Sequence, residues 1–301
     1  MFDFTLTSYS FLLKTLLNQG FSFQTFEAFI TNPKQKTVVL RHDIDKIPEN
    51  AILMADLENK LGIKASYHFR IIKESNDPVC IENIVLLQHE VGYHYEVQKV
   101  MGNGQNGLKN ESGSLDEEFS LFKENLNYFR KFYPVKVISM HGNPLSKLDS
   151  RKLWKYYDYR ESGVICEPYF DIDYSNILYL TDTGRRWDGN KFNVRDKALR
   201  SSTFHSNALH HTLLPFQDWV VKPIPGSLMD MTQESVDFQN KFRFWSTNEI
   251  IRAAINKELP EKIIINTHPQ RWTDRPGPWI RELVWQNVKN VGKYFLVKLR
   301  E

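Results

Sequence analysis

Apolar and polar positions follow two alternating periods along this chain. Residues 6–19 place apolar side chains at helical spacing, broken by Lys14, and predict an N-terminal helix. FSFQTFEAFI then reads as a short strand or lead-in. TVVLRHDID (37–45) is an apolar run with the look of a buried strand, and PENAILMADLENKLG (48–62) is the helix after it. Pro48 suits the first helical turn, Ile52, Leu53, Met54, Ala55 and Leu57 favour the packed face, and Gly62 suits the stop. The alternation repeats. IKASYHFRI is a strand, VCIENIVLLQHE a helix and EVGYHYEV a third strand. LDEEFSLFKENLNYFRKFYP is an amphipathic helix with Leu121, Phe122, Leu126 and Phe129 on one side, and VKVISMHG is a fourth strand.

The later half is less regular. GVICEPYFDID, NILYLTDTG and WVVKPIPG read as strands with longer connections, TNEIIRAAINKEL as a helix, EKIIINTHP as the last strand and PWIRELVWQNVKNVGKYFLV as a closing helix. Strands that alternate with helices predict an α/β fold, a parallel sheet covered by helices. The Gly-rich stretch 102–114 reads as a loop beside the strand ends. No repeat, low-complexity tract or linker divides the 301 residues, and α/β barrels of this length form one domain.

Each predicted strand brings chemistry to its C-terminal end. The first ends in His42, Asp43 and Asp45, the third in His94 and Glu96, the fourth in His141 and the last in His268. In parallel α/β folds this edge is where sites are built, because the helices cover the faces. Imidazole plus carboxylate suits a divalent ion in an N/O shell, most simply Zn, with Co, Ni, Mn or Fe as alternatives. Asp43 and Asp45 are two apart, so they share a face in a regular strand. One could bind the ion while the other takes a proton from water that the ion acidifies, and His268, across a closed barrel, could protonate the leaving group. Arg41 is expected to point the other way, neutralising a neighbouring carboxylate or touching substrate.

Composition narrows the function classes. Lys plus Arg number 39 against 36 Asp plus Glu, a net +3 that makes no electrostatic case for nucleic acid. Two cysteines, Cys80 and Cys166, without CxxC spacing argue against a disulfide scaffold or a thiolate metal site. The N-terminus has no basic segment ahead of its apolar residues and predicts neither a secretory signal nor a membrane span, hence a cytoplasmic protein. Aromatic residues make up 13%, a share that sugar clefts and cores use equally.

VVLRHDID, HEVGYHYE and INTHPQRW together resemble the polysaccharide deacetylase superfamily, metal-dependent carbohydrate esterases with a distorted (β/α) barrel. The resemblance implies about seven parallel strands in one barrel over residues 36–301, with residues 1–35 as a helical extension packed on it. It implies Asp43 as general base, Asp45 and His94 as metal ligands and His268 as acid. The family's second metal histidine comes four residues after the first, where this chain has Gln98. His141 could supply the missing imidazole, and Glu96 is the other candidate. The family lines its sugar groove near TDTGRRWDG (181–189), which makes Asp182, Arg186 and Trp187 candidates for substrate binding, with Trp272 beside His268. A loop ion pair around a buried Trp is the alternative. His205, His210 and His211 read as surface residues, His68 and His89 as structural.

The function this implies is removal of an N- or O-acyl group from a sugar or glycan, in the making of a surface polysaccharide precursor. Hydrolysis of another C–N bond such as a formamide, or a non-catalytic carbohydrate-binding barrel, are the alternatives. A glycosidase using Asp43 and Asp45 would leave His94, His141 and His268 without roles.

Overall fold

The structure, a computed structural model, describes residues 2–96, 111–142, 150–187 and 233–298. Gln98, the predicted loop up to residue 110, His205, His210, His211 and the strand predicted at 219–226 lie outside the described residues.

The chain enters through helix α1 (Leu6–Asn18), started by a capping box in which Thr5 and Ser8 each accept the other's backbone N–H. Strand β1 (Ser22–Gln24) and helix α2 (Phe26–Thr31) follow, so FSFQTFEAFI is both strand and helix. Then come β2 (Thr37–Ile44), α3 (Glu49–Lys60), β3 (Ser66–Phe69), α4 (Pro78–Leu86), β4 (Glu90–Tyr95), α5 (Glu111–Phe129) and β5 (Ile138–Met140). After them lie α6 (Pro168–Asp171), β6 (Leu178–Thr181), α7 (Gln233–Asn240), α8 (Thr247–Ile255), β7 (Lys262–Thr267) and α9 (Pro276–Lys298). All strand pairs are parallel, in the order β5-β4-β3-β2-β7-β6, with β1 beside the first residues of β2. This is a single-domain distorted (β/α) barrel, open between β5 and β6 among the described residues.

Three predicted elements differ. GVICEPYFDID is no strand: a single bridge joins Val137 to Cys166, and Glu167 then caps the short α6, whose first residue is Pro168. The segment 1–35 is more than a helical extension, because it contributes β1 to the sheet. Residues 111–114, expected in a loop, form the first turn of α5. In α3 the buried face is Ala51, Met54, Ala55 and Glu58, while Leu53 is exposed.

That shift brings Glu58 onto the outer face of the sheet, where alternate residues of β2 meet the helices. His42 points there, not into the site, with Nε2 2.9 Å from Glu58 Oε1 and Nδ1 2.6 Å from Thr267 Oγ1. Tyr9 and Tyr67 donate their hydroxyls to the same carboxylate at 2.6 and 2.8 Å. A buried carboxylate survives in such a place only when its lone pairs are met.

The opposite face of β2 lines the barrel. Val39 and Ile264, paired in register, form an apolar floor with Phe26, Phe29 and Val137. One step up the strands stand Arg41 and Asn266, and Asp43 stands above Arg41. His68 and Gly92 are the register neighbours of Asp43 across β3 and β4. A Cβ at position 92 would collide with the His68 ring, so only glycine fits.

Glu90, at the foot of β4, is buried with Oε1 unpartnered, and burial pushes its carboxyl up to about 7 from 4.5. A carboxyl raised in the folded state stabilises the fold fully below the unfolded value and loses that contribution as pH rises from about 4.5 to 7. Glu90→Gln therefore flattens the pH dependence of thermal unfolding. The variant gains on the order of 2–3 kcal/mol over wild type at pH 8 and little at pH 4.5. Equal shifts of Tm at both pH values would contradict this.

Candidate metal centre

The site is assembled where β2, β4, β5 and β7 end. Asp45 lies one residue past β2, in a bend where its N–H reaches Asp43 O at 3.2 Å. Ile47 then adopts a left-handed φ of 54° before Pro48 leads into α3, so the chain turns sharply beneath the two aspartates.

Arg41 and Asp43 are on one face, which corrects the expectation that Arg41 points away. Its Nε and one terminal nitrogen donate to the two Asp43 oxygens at 2.8 and 2.9 Å, a buried fork that leaves Arg41 facing the carboxylate and not a substrate. Asn266 Nδ2 donates to Asp43 Oδ2 at 3.0 Å. Burial alone would raise the Asp43 carboxyl, but Arg41, reinforced by His94 and His268, holds it well below the usual carboxylate range.

His94 closes β4 and donates Nδ1–H to the carbonyl of Ser139 at 2.9 Å, which leaves the Nε2 lone pair aimed into the barrel mouth. Burial pushes its imidazole down to about 3 against the pull of Asp43, so it is neutral at physiological pH. His141 follows β5 and prolongs the β4–β5 pairing through its N–H to Tyr95 O at 2.7 Å, which sets its ring across that of His94. The facing atoms are Asp45 Oδ1, His94 Nε2 and His141 Nδ1. They form a triangle with edges of 3.2, 3.2 and 3.9 Å.

Ligands about 2.1 Å from a tetrahedral ion sit roughly 3.4 Å apart, so the triangle has the size of three corners of such a shell. Asp45 Oδ1 is also buried, and its near polar neighbour is His141 Nδ1 of the triangle itself. One neutral imidazole, a second imidazole and a carboxylate could hold a divalent ion, and this is the only such cluster among the described residues.

His268 stands across the mouth, Nε2 3.8 Å from Asp45 Oδ2. Its Nδ1 lies 2.6 Å from Asp182 Oδ1, a separation that requires a proton between them, so Nδ1–H donates and Nε2 is turned toward Asp45. Asp182 is fully buried and saturated. It accepts from the His268 backbone N–H at 2.9 Å, Trp272 Nε1 at 2.8 Å and Arg271 at 2.5 Å. Burial raises its carboxyl, and Arg271 with His268 more than reverses that.

These contacts bear on five further candidates. Asp182 and Trp272 are buried behind His268 and are not groove residues. Trp187 is core, its Nε1 donating to Thr247 and its ring packed on Phe4 and Trp272. Arg186 lies over the exposed ring of Trp245, 4.7 Å from its centroid. Glu96 is gripped by Arg70 at 2.7 and 2.8 Å and takes no place in the triangle. Asn266 and Arg271 went unnoticed in the sequence, although Asn266 sits two residues before His268 and so shares its face of the strand.

Neither a scan against protein-family models nor a search of curated proteins finds a match for this chain. Among the described residues no helix is long and apolar enough to cross a membrane.

Proposed function

We propose that this protein is a metal-dependent hydrolase that removes an N- or O-acyl group from a sugar. The observation that carries the reading is the gathering, at the C-terminal ends of the strands, of an ion-sized Asp45–His94–His141 triangle, an ionised Asp43 and an imidazole held by Asp182. The motif resemblance to polysaccharide deacetylases supports the same chemistry. Zinc suits the donor set best.

A divalent ion bound there supplies an electrophile for the acyl carbonyl and lowers the pKa of water towards roughly 7. Asp43 takes the proton of the attacking water at the carboxylate that Arg41 and Asn266 fix in place. Its low proton affinity makes it a weak base on its own, so its competence depends on that water being acidic. His268 delivers a proton from Nε2 to the departing amine or alcohol, while Asp182 keeps Nδ1 protonated and offsets the charge of the imidazolium.

The test is acyl release. Protein reconstituted with Zn is expected to liberate acetate and free amine from N-acetylated amino sugars, and dipicolinate is expected to stop it. Sugar binding without acyl release would favour a binding barrel, and release of formate alone would favour a formamide hydrolase.

A further inference from the structure

Among its described side chains, helix α9 fully buries only the polar Gln286 and Asn290 against the barrel, with Trp279, Glu282 and Leu283 half-buried. The polar residues dock through these contacts: Asn290 Nδ2 donates to Gly184 O at 2.9 Å, Gln286 Nε2 to Glu282 Oε1 at 2.6 Å, and Lys46 approaches Glu282 Oε2 at 3.4 Å. Its outward face is apolar. Ile280, Val284, Trp285, Val288 and Val291 are between 49% and 58% exposed. These positions are spaced by one and two helical turns and form one continuous stripe. A contiguous stripe of this kind on a water-facing helix marks a surface that meets something apolar.

The charges indicate what that is. Residues 276–298 contain Arg281, Lys289, Lys293 and Lys298 against the single acid Glu282, which faces inward. Arg281 and Lys289 are exposed beside the stripe, and Lys289 Nζ lies 5.1 Å from the Trp285 ring centroid. Two copies pairing antiparallel through this face would bring Arg281 and Lys289 together with no carboxylate to meet them. An anionic lipid surface meets both halves of the pattern: the apolar side chains and Trp enter the interface, and the basic groups face the headgroups. We propose that α9 seats this protein on anionic membranes, lying in the interface plane and not spanning it. Lys46, the residue after Asp45, contacts the inward side of α9 through Glu282, so the helix that carries the stripe is anchored beside the candidate metal centre.

The experiment is co-sedimentation of the full chain with vesicles of phosphatidylcholine alone or with phosphatidylglycerol, at low and high salt. It is run beside the double variant Val284→Asp/Val288→Asp, with thermal unfolding as a control on folding. Wild type is expected to partition onto phosphatidylglycerol vesicles and to lose binding with added salt. The variant is expected to bind about ten-fold less or weaker still. No partition of wild type, or equal partition of the variant, overturns the proposal. So does a wild-type dimer in size-exclusion chromatography that the variant converts to monomer, because a second copy would then be the occupant. The result is independent of whether the protein hydrolyses anything.

Discussion

Asp43→Asn is expected to keep its metal and lose about three orders of magnitude in turnover, the scale of a lost general base. The two effects separate because the facing atoms of the triangle belong to Asp45, His94 and His141, whereas both Asp43 oxygens are engaged by Arg41 and Asn266. The asparagine keeps the shape of the side chain and its acceptor for Asn266, but it cannot take a proton. It also leaves the buried Arg41 guanidinium without a counter-charge, a loss that costs on the order of 3–5 kcal/mol. Unfolding must therefore be measured beside turnover, at a temperature where the variant is folded. Asp45→Ala, by contrast, is expected to lose metal and turnover together. A folded, metal-loaded Asp43→Asn protein with wild-type activity would remove Asp43 from the role of base.

Asp182→Asn is expected to lower kcat by roughly 10²–10⁴ with little change in KM, although the residue touches no substrate. Asp182 is a positioning residue. Its carboxylate selects the tautomer with the proton on Nδ1 and directs Nε2 toward Asp45. An asparagine can present its amide nitrogen to Nδ1 and so favour the wrong tautomer. The pH profile distinguishes this role from a purely structural one, because the limb that reports the acid should move in the variant while the limb that reports the base stays. Unchanged pH dependence, with activity lost only in proportion to unfolded protein, would reduce Asp182 to a structural support for Trp272 and Arg271.

The parts of this molecule legible in the sequence are those governed by period. Apolar strand runs and helical faces place β2, β3, β4, β5 and β7 within three residues, and strand-end histidines and aspartates mark the edge where they gather. Period also explains the errors. Arg41, Asp43 and Asp45 have the same parity, so the expectation that Arg41 points away was a miscount of the pleat, and His42 is the residue that points outward. What period cannot show is depth. Asp182, Trp187 and Trp272 are polar or amphipathic residues in irregular segments, and only the packing of α1 and β7 around them reveals that they are buried supports. For α9 the sequence predicts a closing helix and nothing of its packed face, where Gln286 and Asn290 are the buried positions.

The most direct test of the central claim is metal content, measured by elemental analysis on protein purified without chelator or metal-affinity tag, for wild type and His94→Ala. About one equivalent of a divalent metal in wild type, and little in the variant, is the result that the Asp45–His94–His141 triangle predicts. Wild-type protein that holds no metal after dialysis against Zn, Co or Ni would contradict it, as would a His94→Ala protein that retains a full equivalent.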